Sequence, residues 1–124
     1  MPHLIVHCSE SVKHMASPEE LLDTVFEAAE STGLFATSGV GGTKVRLETF
    51  RNYRNVDGRE HFVHVFGHIM EGRTSEQKQA LSTAVVGALS TLLPAVEIIS
   101  MNVSDFERET YRNATMIEVD DVAG

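Results

Sequence analysis

A proline directly follows the first methionine and opens the apolar run from Pro2 to Val6. Removal of Met1 would leave Pro2 with a free secondary amine, and an amine at a chain terminus has a pKa of roughly 7.7–8.0. Such a group is a base whose protonation can be tuned near neutral pH. Proline is also tolerated at the first position of a strand, because it has no N–H to donate to a neighbour. The residues alone leave both interpretations open.

Three basic residues have a placement that would suit an anion site. Arg73 lies in the segment 71–74, where a strand is predicted to end and a helix to begin, so its guanidinium can fork onto a carboxylate beside a helix N-terminus. Lys44 and Arg46 are two residues apart in a predicted strand and therefore point to the same face. Basic residues in these places are also typical of a solvated surface.

Six histidines raise the question of a metal site. His3 and His7 fall on one face of the first predicted strand, and His64 and His68 share a face of a later one, so the two pairs would meet if those strands were neighbours. No spacing here is a specific ligand motif, and isolated strand histidines are typically hydrogen-bonded residues. The single cysteine, Cys8, cannot supply a thiolate cluster. We predict no metal site.

Composition bounds the kind of protein. The chain has 124 residues, of which 42% are hydrophobic, and we predict one domain over residues 1–124. The net charge of −8 argues against a nucleic-acid partner, because phosphate binding needs a basic surface. No run of about 20 apolar residues is present, so no membrane span is predicted, and strand-like residues stand where a secretory signal would begin. We expect a cytoplasmic protein.

The pattern along the chain predicts a duplicated arrangement of strands and helices. Two helices are predicted to begin at capping boxes, Ser17 with Glu20 and Thr74 with Gln77. Gly33 is placed to close the first helix in a left-handed conformation, and Pro94 ends the second. Four strands are predicted, at residues 2–8, 44–54, 61–70 and 96–103.

This order reads β-α-β followed by β-α-β and predicts an α+β fold. Four strands would form one sheet, with both helices covering one face. Asp57-Gly58 is a turn signal, so we expect the second and third strands to pair as a hairpin. The other face of the sheet would be bare. We expect apolar strand residues on it to favour association with other subunits, namely Leu4, Val6, Val63 and Val65.

Several segments resemble one known family in the same order along the chain. They are Pro2-His3-Leu4-Ile5-Val6-His7-Cys8-Ser9, Thr32-Gly33-Leu34-Phe35, Val56-Asp57-Gly58, Phe62-Val63-His64-Val65 and Glu71-Gly72-Arg73-Thr74-Ser75-Glu76-Gln77-Lys78. This set is similar to the 5-carboxymethyl-2-hydroxymuconate delta-isomerases of the tautomerase superfamily, although beyond residue 100 only Tyr111-Arg112-Asn113 resembles a late family segment. The resemblance implies a homotrimer of β-α-β-β-α-β subunits and an N-terminal proline base. It also implies no metal or organic cofactor, and a dicarboxylate dienol substrate from aromatic-acid degradation.

The resemblance also points to residues that would bind an anionic small molecule. Arg73 matches a substrate-binding position, and Arg46 matches a second basic one. Lys44 stands where the family usually has an arginine, and the region around Gly41-Gly42 differs in length. Because a lysine is a point charge and does not reproduce the arginine fork, the substrate itself stays open. Phe35 follows the end of the first helix, on the side from which a loop could reach the substrate site, and is a further candidate for contact with the substrate.

The chemistry fits these residues. Moving a proton from an enol oxygen to a distant carbon needs a base that is neutral at working pH, and burial and nearby cations both lower the pKa of an amine. We therefore expect an isomerase acting on 5-carboxymethyl-2-hydroxymuconate or a close relative, with Pro2 as base and acid. The alternatives are another proline-based keto-enol tautomerase and a non-catalytic trimeric binding or scaffold protein.

Overall fold

The structure is a computed structural model that describes residues 1–117. Residues 118–124, which include Glu118, Asp120 and Asp121, lie outside the described part. Residues 1–117 form four strands, two α-helices and three short 3₁₀ segments. The strands are β1 (His3–Ser9), β2 (Lys44–Phe50), β3 (Phe62–Met70) and β4 (Ile98–Phe106), and the helices are α1 (Pro18–Ser31) and α2 (Ser75–Leu92).

Both helices begin as their sequences predict. In α1 the Ser17 side chain accepts from the backbone N–H of Glu20, and in α2 the Thr74 side chain accepts from Gln77, each with the reciprocal bond of a capping box. Gly33 follows α1 with a φ of 70°, a left-handed conformation that suits glycine and ends the helix. Neither helix of the described segment is both long and apolar enough to cross a lipid bilayer.

The sheet order is β2-β1-β3-β4. Strand β1 pairs in parallel with β2 and antiparallel with β3, and β3 pairs in parallel with β4, so each half of the chain is one β-α-β unit. The predicted hairpin between the second and third strands is wrong, because β1 lies between β2 and β3. Asp57 and Gly58 do turn, with φ of 58° and 65°, but inside a long connection.

Two strand ends differ from the prediction by three or more residues. Strand β2 ends at Phe50, four residues before the predicted end, and the chain turns at Arg51, which pairs with Glu10. Strand β4 continues to Phe106, beyond the predicted end at residue 103, because its ladder with β3 extends to the pair of Met70 and Phe106. The longer β4 carries the chain that follows it to the same end of the sheet as the end of β3.

The helices cover one face of the sheet and form the core against it. Leu4, Val6, Val63 and Val65 are fully buried in this core together with Leu21, Val25, Leu81, Val85 and Leu89 of the helices. The expectation that the four strand residues lie on the bare face is therefore wrong. Side chains alternate along a strand, and the continuous apolar cluster is the one that the helices exclude from water.

The bare face carries histidine, aromatic and charged side chains instead. The register places His3, Ile5 and His7 of β1 beside His68, Phe66 and His64 of β3, and beside Lys44, Arg46 and Glu48 of β2. The ring of His7 lies 4.8 Å from that of Phe50 and 5.0 Å from that of Phe66, measured between centroids. This face is only partly buried within one chain.

Candidate functional site

The strand directions gather the predicted site residues at one end of the sheet. Strands β1 and β2 begin there, and β3 and β4 end there, because the register pairs His3 with both Lys44 and His68. We call this region the basic end and define it by Met1, Pro2, Lys44, Arg73 and Arg108. The first four residues come from segments singled out by the sequence, and Arg108 does not.

Pro2 is buried where β1 begins, and its carbonyl oxygen accepts a hydrogen bond from the backbone N–H of Lys44 at 3.1 Å. Met1 precedes it in the structure, so the α-amino group belongs to Met1 and the Pro2 nitrogen is an amide. The pKa of that α-amino group is lowered from its ordinary value of 8.0, first by burial and then by the positive charges of Arg73, Lys44 and Arg108. The surroundings of the chain terminus thus favour a neutral amine.

Arg73 is held against the end of α1. One guanidinium N–H donates to the carbonyl oxygen of Leu34 at 2.7 Å, and the guanidinium carbon lies 5.0 Å from the centroid of the Phe35 ring. Phe35 is buried, so the ring offers a fixed face to the cation. A guanidinium has five N–H donors, and this arrangement leaves most of them available to an anion. The structure therefore brings Arg73 and Phe35 together at the basic end.

Lys44 is folded back onto the glycine-rich loop before β2. Its ammonium donates to the carbonyl oxygens of Val40 and Gly42, at 2.6 and 2.7 Å, and lies 3.1 Å from the sulfur of Met1. These contacts keep the charge beside the chain terminus.

Arg46 lies on the bare face, beside the basic end. Its guanidinium is 3.2 Å from Nδ1 of His3. Since arginine can only donate, His3 accepts at that nitrogen. The pKa of His3 is lowered by burial and then by the charges of Arg46, Lys44, the chain terminus and His68, which all favour the neutral ring. His3 and Arg46 line a cavity of about 370 Å³ with His68, Phe106, Glu107, Thr110 and Tyr111. Arg46 thus contacts His3, the residue that follows Pro2, and not the chain terminus itself.

Arg108 is the site residue that sequence reasoning missed. It lies just beyond β4, where the match to known segments is thin. Its backbone N–H donates to a carboxylate oxygen of Glu71 at 2.7 Å, and its guanidinium donates to the Glu71 carbonyl at 3.2 Å. The parallel pairing of β3 and β4 is the signal that would have found it, because parallel strands end at the same end of a sheet.

Among the residues that the structure describes, the cations of the basic end have no acidic partner of their own. Among residues 1–117, no carboxylate lies within 4.0 Å of the charged groups of Lys44, Arg73 or Arg108, although the whole chain carries a net charge of −8. A neutral amine in these surroundings can take up a proton from a substrate. The cations around it can stabilise the negative charge that develops on the substrate.

The histidine pairs do meet, as the sequence allowed. His3 lies opposite His68, and His7 lies opposite His64, on neighbouring strands. Nδ1 and Nε2 of His64 are hydrogen-bonded to Ser100 and Asn102, each at 2.6 Å. In the described part of the chain, no group of three or more His, Cys, Asp or Glu side chains is arranged to hold a metal ion.

Comparison with known proteins places this geometry in a family. The family model of 5-carboxymethyl-2-hydroxymuconate isomerase matches residues 2–118. The 5-carboxymethyl-2-hydroxymuconate Delta-isomerase of Escherichia coli is 26% identical over 111 residues, which are 88% of this chain and 86% of that protein.

Solved structures share the fold. A 5-carboxymethyl-2-hydroxymuconate isomerase from Deinococcus radiodurans R1 superposes with a TM-score of 0.73 at 23% identity, over 90% of this chain and 87% of the other. A fused 4-OT symmetric trimer superposes with a TM-score of 0.67 at 18% identity, over 86% and 88% of the two chains. The fold is that of the tautomerases, and the chain belongs to the 5-carboxymethyl-2-hydroxymuconate isomerase family and is an isomerase.

Proposed function

We propose that this isomerase moves a proton within an enol acid of the 5-carboxymethyl-2-hydroxymuconate type, and that the nitrogen of Pro2 carries the proton after Met1 is removed. The observation that supports this most is the set of cations around the chain terminus. Burial and the charges of Arg73, Lys44 and Arg108 already lower the pKa of the amine on Met1. A Pro2 amine one residue further along would lie in similar surroundings.

The reaction needs one group that acts first as base and then as acid. The neutral Pro2 nitrogen takes the proton from the enol oxygen, so the O–H bond breaks and a C=O bond forms. Electrons shift along the conjugated double bonds, and the protonated amine returns the proton to a distant carbon. The same proton is lost and regained, so the reaction needs no net oxidation or reduction. A lowered pKa favours both steps near neutral pH.

The basic end supplies the charge that such a substrate requires. A muconate has a carboxylate at each end, and the carboxymethyl group in the family's name adds a third, one more than the dicarboxylate implied by the sequence resemblance. Arg73 can fork onto one carboxylate, and Lys44 offers a point charge beside the amine. Because the protein as a whole is acidic, these local cations must overcome long-range repulsion of the substrate.

Lys44 supports a second candidate, another keto-enol acid with a different charge arrangement. Two of its ammonium donors already bind the carbonyls of Val40 and Gly42, so fewer remain for a substrate than an arginine fork would offer. The reaction and the role of Pro2 are the same in this candidate, and only the acid differs.

We further propose that the protein assembles as a homotrimer through the bare face of the sheet. Ile5, Phe50 and Phe66 lie on that face, only partly buried in one chain. The fused 4-OT proteins with the same fold are described as trimers. Light scattering in dilute solution is expected to give three times the chain mass of 13.6 kDa. A stable monomer would refute this assembly.

The test of the catalytic proposal compares two forms of one protein, separated and verified by intact mass, with and without Met1. Each is assayed against a panel of 2-hydroxymuconate-type dienols. The form with Met1 is expected to be on the order of 10²–10⁴-fold slower, because its proline nitrogen is a non-basic amide. Pro2→Ala, which keeps a free primary amine, is expected to fall between the two. Equal turnover by both forms would rule out Pro2 as the base. No turnover by the Met1-free form would favour a scaffold protein.

A further inference from the structure

We propose that Arg108 binds a substrate carboxylate that Arg73 does not reach, and so makes the site selective for polycarboxylates. This inference rests on the proposed function of the basic end and adds a residue to it. Arg108 lies beyond β4, in a part of the chain that carried no site prediction. What it would recognise is an additional carboxylate on an enol acid.

The first support is the way the backbone holds Arg108 next to Arg73. Glu71 accepts the backbone N–H of Arg108 through its carboxylate and the guanidinium of Arg108 through its carbonyl. Gly72 follows with a φ of 116°, a conformation that other residues rarely adopt, and the next residue is Arg73. The two arginines are thereby fixed on either side of one tight corner.

The second support is the state of the guanidinium. Its one hydrogen bond among residues 1–117 goes to a neutral carbonyl, so its positive charge is not neutralised by a neighbouring carboxylate there. The remaining N–H groups keep the geometry that binds a carboxylate in two places.

The third support is the position of the Arg108 charge relative to the α-amino group and the cavity beside His3. Arg108 is one of three cations whose charge acts on the α-amino group of the chain. The last residue of β4, Phe106, and the segment after it, with Glu107 and Tyr111, line the cavity beside His3. Arg108 therefore acts on the amine from a segment whose neighbouring residues line an open space large enough for part of a ligand, whereas Arg73 is held on the side of Phe35.

The charge count fits a substrate with more than two carboxylates. Arg73 and Lys44 can serve two anionic groups, and a third would have no cation of the basic end beside it if Arg108 were absent. An arginine at this corner would give a tricarboxylate an advantage over a dicarboxylate of similar size. A monocarboxylate held by Arg73 would gain little from it.

The experiment measures binding and turnover in the Met1-free protein, Arg108→Gln and Arg112→Gln. Arg112→Gln is the matched control, because it removes the same charge from the same segment. The Arg112 guanidinium donates only to the nearby carbonyls of Glu109 and Tyr111 among the described residues. Calorimetry uses three probes of increasing charge, namely butyrate, glutarate and propane-1,2,3-tricarboxylate. Arg108→Gln is expected to weaken the tricarboxylate by about tenfold or more while leaving butyrate within about twofold, and Arg112→Gln is expected to change neither.

A second readout separates binding from a general effect on structure. Removing a cation near the amine raises the pKa of its conjugate acid, so the acidic limb of the kcat/KM profile should move to higher pH in Arg108→Gln and stay in place in Arg112→Gln. Arg108→Lys should restore the limb but only part of the tricarboxylate affinity, because it keeps the charge and loses the fork.

The outcomes distinguish this inference from the proposed function. If Arg108→Gln binds all three probes as Arg112→Gln does, the role of Arg108 is wrong, whatever the turnover. If the parent binds the tricarboxylate no better than butyrate, it is wrong as well. If the parent turns over no dienol but loses tricarboxylate binding specifically in Arg108→Gln, the carboxylate site stands and the proposed isomerisation fails.

Discussion

The two ends of the sheet are built alike and differ in their charges. At the basic end, Lys44, Arg73 and Arg108 surround the chain terminus without carboxylate partners in the described residues. At the opposite end, where β1 and β2 finish and β3 and β4 start, two arginines are paired with carboxylates. Arg51 lies 3.0 Å from Glu10, and Arg59 is bonded to Glu97. The fold repeats its β-α-β unit, but among the described residues arginine–carboxylate pairs form at one end only.

The opposite end also satisfies its uncharged polar groups internally. The Ser11 hydroxyl lies 2.7 Å from Nδ1 of His61 and donates to the hydroxyl of Ser9 at 2.9 Å. Ser9 is fully buried and accepts the backbone N–H of Phe62 at 3.1 Å. These bonds tie the end of β1 to the start of β3. At the opposite end, polar side chains bond to each other and stabilise the fold. At the basic end, the cations keep donors that a ligand can use.

The largest expected effect on activity comes from removing Arg73 at the basic end, compared with removing Arg59 at the opposite end. Arg73→Ala loses a charge-assisted contact worth roughly 1.5–3 kcal/mol and is expected to lower kcat/KM about ten- to hundredfold. Arg59→Ala, at the opposite end, is expected to stay within about twofold. Both are measured on protein whose oligomeric state matches the parent. If the two variants lose activity equally, the functional difference between the ends is wrong.

The opposite end should respond in stability and not in activity. Ser11→Ala removes the partner of His61 and is expected to lower the free energy of unfolding by about 1 kcal/mol, with kcat/KM unchanged within about twofold. Urea unfolding at one fixed protein concentration measures this, since association alters apparent stability. Ser90→Ala, at an exposed position of α2, is the control and should shift stability by less than about 0.5 kcal/mol. A fall in activity with unchanged stability would assign a chemical role to this end.

Lys44 should have a smaller effect than Arg73. A partly exposed charge pair is worth about 0.2–1 kcal/mol, so Lys44→Met is expected to raise KM about two- to fivefold. Added salt should reduce the difference between parent and variant, because it screens exposed charges. Lys13→Met removes an equal charge beside the opposite end and is expected to leave KM unchanged. A larger effect from Lys13→Met would show that net charge, and not the position of Lys44, governs substrate binding.

Local signals in the sequence predicted the helices, and long-range pairing limited the rest. The capping boxes at Ser17 and Thr74 depend on residues three apart, so they could be predicted directly. The Asp57-Gly58 turn was also real, but its local geometry does not say which strands lie beside each other. The insertion of β1 between β2 and β3 arises from the parallel β-α-β connections, which bring distant residues together.

The candidate site was predictable for the residues that lie in recognisable segments. Pro2, Arg73, Lys44 and Phe35 meet at the basic end, and Arg46 reaches it through His3. Arg108 could not be predicted from its own neighbourhood, because its place follows from the register of β3 with β4. The roles of all these residues remain predictions.

The smallest expected effect concerns the boundary between the basic end and the bare face. Burial lowers the pKa of His3, and Arg46 lowers it further because a nearby cation disfavours the imidazolium. Arg46→Ala is therefore expected to raise the pKa of His3, and the ring should become protonated at a higher pH than in the parent. Titration of the His3 ring by NMR measures the shift, with Arg54→Ala as the control, since Arg54 is not among the charges that lower the pKa of His3. An unchanged titration in Arg46→Ala would mean that the charge of Arg46 does not contribute to the lowered pKa of His3.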